Sequence, residues 1–253
     1  MSEPRIVALA GIGEVRADDS VARLIAAAAA DSGLTLDSGV VLCVSQKVVS
    51  KAEGRVRSLT AVEPGPRARE LAAALDKDPA VVELVLGESK RIVRAIGGVL
   101  ITETHSGLVC ANAGIDASNV PGADAVALLP ADPDASARRI RSELAGVLGV
   151  RPAILITDSF GRPWRIGQAE TAIGCAGIQP IEDLRGELDR DGRELSATVI
   201  AVADQLAAAA DLGRSKRSGT PVVAVLGAER WITEADGPGA AALRRPEAED
   251  LFR

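Results

Sequence analysis

Two polar segments of the sequence combine a carboxylate with hydroxyl or amide side chains directly after apolar runs. Residues 112–119 contain Asp116, and residues 157–165 contain Asp158 and Ser159. Because the apolar runs predict strands, each aspartate is expected at the exit of a strand. One or two carboxylates, a hydroxyl and open positions for water or phosphate oxygens suit Mg²⁺ or Mn²⁺. The alternative is that each aspartate only caps a turn, as loop aspartates commonly do.

Two arginines belong to the second of these segments. Arg162 and Arg165 would add positive charge where a phosphate or carboxylate group of a substrate must lie. Trp164, between them in the sequence, has two interpretations: a packing residue, or a stacking surface for a planar ligand. The combination of two strand-exit aspartates with an arginine pair weakens the turn-capping interpretation, so that phosphate chemistry and turn capping stay open side by side.

A further basic group follows the predicted strand 38–46. Lys47, Lys51 and Arg55 are spaced by four residues, so a helix would place them on one side. Gln46 adds a neutral hydrogen-bonding group beside them. The alternative is a solvated basic face, which is less attractive in a chain that is otherwise acidic.

A glycine turn follows the predicted strand 5–10. Gly11, Ile12 and Gly13 resemble the start of a dinucleotide-binding glycine motif, but Arg16 stands where the third glycine belongs. Exposed backbone N–H groups in such a turn can approach an anion. A purely structural turn is an equally simple interpretation.

A short basic and hydroxyl-rich segment, residues 213–220, lies between a predicted helix and a predicted strand. It contains Arg214, Ser215 and Lys216. Such a segment could cover a phosphate, because it combines cations with hydroxyl and backbone donors. It could equally be a plain connection.

The elements that must position these residues can be predicted from hydrophobic spacing. Helices are predicted at 20–32, 66–77, 79–87, 135–148 and 197–212. Strands are predicted at 5–10, 38–46, 96–103, 107–112, 124–129, 152–157 and 221–227, with a hairpin around Thr104–Ser106 and a turn at 189–192. Hairpins mixed with helices indicate an α+β fold with mixed sheets and packed helices. A division into two interleaved subdomains stays open.

Composition excludes several classes of protein. The 253 residues carry a net charge of −6 and four aromatic side chains, two Phe and two Trp. Such a chain lacks the basic surface and the stacking surface of nucleic-acid binders. One histidine and three scattered cysteines argue against zinc and for reduced thiols, which predicts a cytoplasmic location. No apolar run approaches the roughly 20 residues of a membrane span, and no secretory signal is visible.

Taken in order, the polar segments resemble the coenzyme F420-0:L-glutamate ligase family, the γ-glutamyl ligases. The matching stretches span essentially the whole chain and are residues 11–14, 48–55, 114–120, 156–165, 167–168 and 245–252. Residues 49–55 and 157–165 are specific for the family, whereas the glycine turn is not. The chain resembles the stand-alone ligase, so residues 1–253 are predicted to form one ligase domain without a nitroreductase-like extension.

The resemblance implies a GTP-dependent ligase that phosphorylates the terminal carboxylate of the deazaflavin coenzyme precursor. The L-glutamate amine would attack the acyl phosphate, and a second glutamate would follow in γ linkage. The implied ligands of Mg²⁺ or Mn²⁺ are Asp116, Asp158 and Ser159. The implied nucleotide contacts are Gly11, Ile12, Gly13, Glu14, Gln46, Lys51, Asn119, Arg214, Ser215 and Lys216.

Further properties follow from the same resemblance. Lys51 and Arg165 would act as catalytic residues that stabilise charge on the transferred phosphate. A monovalent cation such as K⁺ is a further expected cofactor, and the assembly is expected to be a homodimer of α+β subunits. Ser215 departs from the family pattern, since some relatives have a metal-binding Gln or Glu there. Gly13-Glu14 likewise replaces a common Pro-Leu pair.

Two alternatives stay open at the level of sequence. One is a ligase that applies the same chemistry to a different acid acceptor, because acceptor choice depends on pocket shape. The other is a protein that binds GTP and metal without turnover. Release of GDP and phosphate that requires both acceptor and glutamate would distinguish an enzyme from the second alternative.

Overall fold

The computed structural model describes residues 3–214 and 219–251. Its helices are α1 (Val21–Asp31), α2 (Gln46–Ala52), α3 (Pro66–Leu75), α4 (Pro79–Gly87), α5 (Pro133–Leu148) and α6 (Val202–Leu212). Its strands are β1 (Arg5–Leu9), β2 (Val41–Ser45), β3 (Val56–Ser58), β4 (Ser89–Ile96), β5 (Val99–Thr104), β6 (Val109–Ala111), β7 (Ala125–Ala127), β8 (Ala153–Arg162), β9 (Arg165–Ala176), β10 (Glu182–Asp183), β11 (Val199–Ile200) and β12 (Val222–Leu226). Helices packed on separate, mainly antiparallel sheets confirm the predicted α+β class.

The largest sheet has the strand order β1-β12-β2-β8-β9. Only β2 and β8 pair in parallel within it, and the other neighbours are antiparallel. Helices cover both faces, which explains why the central strands are continuously apolar. On one face Leu42 shares a core with Ile25 of α1 and Ile140 of α5, and on the other Cys43 shares a core with Leu206 of α6.

A smaller layer is built around the three-stranded sheet β4-β5-β6. Its core contains Ala72 and Leu75 of α3, Val82 and Val85 of α4, and Leu100 of β5. The short pairs β3–β7 and β10–β11 form two further small sheets. This layer matters for function because it contributes one wall of the cavity described below.

The helix ends follow from local sequence chemistry. Asp132 caps α5 by accepting a hydrogen bond from the backbone N–H of Ala135, and Gly149 ends that helix with a φ of 72°. Asp78 caps α4, and Ser20 caps α1. The sequence therefore contained the signals for these boundaries.

Several predicted elements are correct, and others differ in extent. The β5–β6 hairpin is confirmed, with Thr102 paired to Cys110, as is the turn at 189–192, where the N–H of Gly192 donates to the carbonyl of Asp189. The predicted strand 96–103 begins only at Val99, because a Gly97-Gly98 turn joins β5 to β4, a strand that was not predicted. Helix 197–212 begins only at Val202.

The most important difference concerns the long hairpin of β8 and β9. The prediction placed Asp158 and Ser159 after the end of a strand, but β8 continues through Arg162. Strand β9 was not predicted, because its small residues and glycines obscure the pattern of apolar and polar alternation. Asp158 and Ser159 therefore lie within a pair of strands that cross-strand hydrogen bonds hold together.

The three cysteines are reduced, as the sequence predicted. Cys43, Cys110 and Cys175 are buried and unbridged. Burial raises the pKa of each thiol to about 12.

In the ranges 3–214 and 219–251, no helix is long and apolar enough to cross a membrane.

Candidate active site

A cavity of about 1110 Å³ opens between the large sheet and the smaller layer. Single-ligand pockets commonly occupy roughly 300–1,000 Å³, so this volume can hold more than one substrate. The lining comes from the glycine turn, α2, the three-stranded sheet, the 112–119 segment, the β8–β9 hairpin and residues 219–221. The topology thus brings together segments that are far apart in the sequence.

Five carboxylates line this cavity, Glu14, Asp116, Asp158, Glu170 and Asp211. Three of them, Asp116, Asp158 and Glu170, influence one another's charge. Burial raises the pKa of Asp158 to about 7, and the negative charges of Glu170 and Asp116 add to the effect. The electrostatic influence of both neighbours on Asp158 means that the three side chains form one cluster. A partly buried acidic cluster in a large cavity indicates a functional site.

Lys47 neutralises part of this cluster. Its Nζ donates hydrogen bonds to Asp116 Oδ2 at 2.5 Å and to Ser118 Oγ at 2.7 Å. Burial alone would raise the pKa of Asp116, but the Lys47 hydrogen bond and the Ser118 N–H outweigh it and hold that pKa below its ordinary value. The short helix α2 starts directly after β2, so Lys47 lies next to the carboxyl end of β2, where β2 pairs in parallel with β8.

Glu170 is a site residue that the sequence analysis missed. It lies opposite Ser159 in the β8–β9 register, and its Oε1 accepts a hydrogen bond from Ser159 Oγ at 2.6 Å. Its Oε2 lies 3.1 Å from Arg214 Nη1. A hairpin pairing of residues 157–162 with 165–171 would have placed Glu170 here, but β9 was not recognised as a strand.

Arg214, near the start of the 213–220 segment, contacts the large sheet. Its guanidinium donates to Glu170, to Thr157 Oγ1 at 3.3 Å and to the carbonyl of Cys43 at 3.1 Å. Its Nε is buried without a hydrogen-bond partner among the described residues. Ser215 and Lys216, both predicted to contact the nucleotide, lie outside the described residues.

The glycine turn lies beside α2 at the same cavity. Ile12, Gly13 and Glu14 line it, and Glu14 Oε1 lies 2.6 Å from Lys51 Nζ. A methyl group added at Gly13 would meet nothing within 4 Å. The turn therefore leaves backbone open to the cavity, whereas Gly11, with a φ of 88°, lies outside the lining.

The structure does not bring every predicted residue to the cavity. Gln46 is fully buried and accepts a hydrogen bond from Ser50, so it lies behind the lining. Arg165 is exposed and outside the lining, whereas Arg162 is part of it. Arg55 follows α2 and pairs instead with Glu88.

The remaining predicted residues have clear positions. Asn119 lines the cavity with a φ of 55°. Trp164 is 80% exposed at the tip of the β8–β9 hairpin, so its ring lies outside the core of this chain. The imidazole of His105 contacts the carbonyl of Gly87 at 3.0 Å, as expected for a turn residue.

The donor set fits a hard, oxygen-bound divalent cation better than a zinc site of histidine and cysteine ligands. Among the described residues, no group of three His, Cys, Asp or Glu side chains has a metal-binding arrangement. Asp116 and Asp158 with the Ser159 hydroxyl supply fewer protein ligands, which matches Mg²⁺ because it retains waters and substrate phosphates. Asn112 Oδ1, buried at the same cavity without a partner in this part of the chain, offers another oxygen.

Comparisons with known proteins agree on one family. The family model of F420-0:gamma-glutamyl ligases matches residues 11–227. The coenzyme F420:L-glutamate ligase of Methanopyrus kandleri is 44% identical over 242 residues, 95% of this chain and 94% of its own length. The enzymes of the same name from Methanothermobacter thermautotrophicus and Haloarcula marismortui are 42% and 41% identical, each over 98% of this chain and over 98% and 95% of their own. The resemblance predicted from the sequence is confirmed: the chain belongs to the F420-0:gamma-glutamyl ligase family.

Proposed function

We propose that this protein is a GTP-dependent ligase that joins L-glutamate to coenzyme F420-0 through an amide bond. The observation that carries the proposal is the cluster of Asp116, Asp158 and Glu170 beside Lys47 in a cavity of about 1110 Å³. Acidic side chains, basic side chains and an open glycine turn are the groups that phosphoryl transfer requires. The relatives named coenzyme F420:L-glutamate ligase support the choice of acceptor and amine.

The chemistry has two steps. A carboxylate oxygen of the acceptor attacks the γ-phosphorus of GTP, which forms an acyl phosphate and releases GDP. The neutral amine of L-glutamate then attacks the acyl carbon, the bond from carbon to the phosphate oxygen breaks, and inorganic phosphate leaves while the amine loses a proton to water. This route needs positioning and charge neutralisation but no side-chain nucleophile.

Asp116, Asp158 and the Ser159 hydroxyl would hold Mg²⁺ or Mn²⁺, with phosphate oxygens and water as the other ligands. When bound, the cation would neutralise negative charge on the nucleotide phosphates. Asp158 must be ionised to take this role, and its pKa of about 7 lets it lose its proton near neutral pH. Glu170 orients the Ser159 hydroxyl through the 2.6 Å hydrogen bond.

The basic side chains of the cavity would act directly on phosphate charge. Lys47 and Lys51 lie on consecutive turns of α2, and each now pairs with a carboxylate of the cavity, Asp116 or Glu14. A nucleotide phosphate could replace either carboxylate partner, because an ammonium binds both kinds of anion. The catalytic role of Arg165 stays a prediction supported by the resemblance alone, since its side chain lies outside the lining.

Other parts of the proposal rest on family resemblance. They are the addition of a second glutamate in γ linkage, a contribution from K⁺, assembly as a homodimer and a cytoplasmic location. The nucleotide contacts assigned to Gln46, Ser215 and Lys216 belong to this group as well. Gln46 could contribute by holding α2 in place, because its Oε1 accepts the Ser50 hydroxyl hydrogen bond at 2.8 Å.

The proposal is tested by incubating the protein with GTP, Mn²⁺, L-glutamate and coenzyme F420-0 and measuring product masses. The expected product is heavier than the acceptor by one or more glutamyl residues. Reactions without GTP or without glutamate serve as controls, and Asp158→Ala is expected to stay folded with almost no turnover. An unchanged acceptor mass in the complete reaction would refute the proposal, and incorporation into a different acid would identify another acceptor.

A further inference from the structure

The basic side chains of the cavity fall into two groups. Those that line it are Lys47, Lys51, Arg94, Arg162 and Arg214. Three of them already pair with a carboxylate: Lys47 with Asp116, Lys51 with Glu14, and Arg214 with Glu170. Arg94 and Arg162 form no ion pair with any carboxylate of residues 3–214 and 219–251. Their charges are therefore available to an anion that enters the cavity.

Arg94 lies on an apolar wall. It belongs to β4, faces Ile101 in the neighbouring strand, and follows an irregularity of the register after Ile92. Ile101, Val109 and Ile115 line the cavity around it, and Val109 is 39% exposed. A wall of aliphatic side chains with one guanidinium suits a ligand that has both an apolar body and a negative charge.

Arg162 is oriented by backbone groups. Its Nη2 donates to the carbonyl of Ile166 at 2.9 Å, and its Nε contacts the carbonyl of Gly167 at 3.4 Å. Neutral carbonyls fix the direction of the guanidinium without cancelling its charge. An oriented guanidinium binds carboxylate or phosphate groups more effectively than a mobile one, because less freedom is lost on binding.

We propose that Arg94 and Arg162 form the anion-binding subsite for the acid acceptor, separate from the cluster that serves the nucleotide phosphates. The inference rests on the proposed function and adds the residues that select the acceptor. The apolar body would lie against Ile101 and Val109, and negatively charged groups of the acceptor would bind the two guanidiniums. The carboxylate cluster and Lys47 and Lys51 remain for the triphosphate.

The test measures acceptor and nucleotide binding separately. Arg94→Gln and Arg162→Gln remove one charge each at exposed positions, and Arg69→Gln, an exposed residue of α3 outside the cavity, is the matched control. Calorimetry without nucleotide should show that each cavity variant binds coenzyme F420-0 roughly tenfold more weakly, the scale of a lost charged hydrogen bond. Binding of GDP with Mn²⁺ should stay within about twofold of the unmodified protein in all three variants.

The steady-state rates should show the same separation. The KM for the acceptor should rise in Arg94→Gln and Arg162→Gln, the KM for GTP should not, and Arg94→Lys should retain part of the acceptor affinity. Folded variants with unchanged acceptor affinity, or with weaker nucleotide binding in its place, would overturn the assignment. Failure of the unmodified protein to bind or use coenzyme F420-0 would instead refute the proposed function.

Discussion

Glu170 and Arg214 form a nearly buried ion pair with Oε2 and Nη1 3.1 Å apart, and their side chains are 6% and 10% exposed. The pair connects β9 with the residue at which the chain enters the 213–220 segment. Removal of one partner of a buried pair leaves the other charge uncompensated, which is more costly than removal of both.

Glu170→Gln should therefore destabilise the protein by about 3 kcal/mol, the usual scale for one lost partner of a buried pair. Urea unfolding of the metal-free protein measures this free energy. The double variant Glu170→Gln with Arg214→Met should recover part of the loss, because no unpaired charge remains. Equal losses in single and double variants would contradict the view that these two charges compensate each other.

The raised pKa of Asp158 predicts a pH-dependent stability in the absence of metal. Since burial raises this pKa from its ordinary value of 3.8 to about 7, the carboxyl group stabilises the fold while protonated, and this contribution is lost as the pH rises from 4 through 7. Asp158→Asn keeps a neutral side chain at every pH. Its melting temperature in a chelator should exceed that of the unmodified protein at pH 8 by at least about 3 °C, and the difference should vanish near pH 4.

Glu63→Gln is a control for this measurement, because Glu63 is exposed on the surface. It should show no pH-dependent difference from the unmodified protein. A melting temperature of Asp158→Asn that is lower than that of the unmodified protein at pH 8 would contradict the assigned burial effect.

Lys47 and a divalent cation should compete for Asp116, because Lys47 Nζ already lies 2.5 Å from its carboxylate. In Lys47→Gln no ion pair must be broken before the metal binds, so Mn²⁺ should bind about threefold to tenfold more tightly in the absence of nucleotide. Electron paramagnetic resonance of free Mn²⁺ measures this affinity. Turnover of the same variant should fall if Lys47 binds nucleotide phosphate as proposed. Lys90→Gln, on β4 outside the cavity, is the charge-matched control; weaker Mn²⁺ binding by Lys47→Gln alone would argue that Lys47 supports the metal.

Substitutions at two glycines distinguish an effect on nucleotide binding from an effect on the stability of the fold. Gly13→Ala adds a methyl group in open space and should leave the melting temperature within about 2 °C. If the turn contacts phosphate through its backbone, the KM for GTP should rise roughly tenfold, because the methyl group blocks the approach. Gly174→Ala would place its Cβ too close to the backbone of Pro133 and should destabilise the fold strongly. An unchanged KM for GTP in Gly13→Ala would remove the glycine turn from the nucleotide site.

The parts of this fold that sequence predicts well have local signals. The Asp132 cap, the Gly149 end of α5 and the turn of the β5–β6 hairpin depend on neighbouring residues only. The segments with Asp116 and Asp158 could also be selected, because polar side chains directly after apolar runs are conspicuous in the sequence. Their meeting in one cavity depends on topology, which the family resemblance anticipated.

The parts that sequence did not predict depend on strand pairing. Glu170 belongs to the site only because β9 folds back on β8, and the glycines and alanines of β9 give no clear alternation. Arg162 lines the cavity and Arg165 does not, although the two residues are paired next to the turn of the hairpin, and this difference could not be predicted before the hairpin was known. The full burial of Gln46 depends on how α2 packs against its neighbours, and the spacing of residues along a single helix cannot predict that packing.

The central claim is that GTP cleavage and amide formation are coupled in this cavity. The most direct measurement follows GDP, phosphate and glutamylated product in the same reaction with coenzyme F420-0 and L-glutamate. We expect equal amounts of GDP and new amide bonds, no GDP when the acceptor is omitted, and, when glutamate is omitted, no amide and no more than the single GDP per active site that acyl phosphate formation releases. Continued release of GDP without glutamate, or amide formation without loss of GTP, would contradict the account.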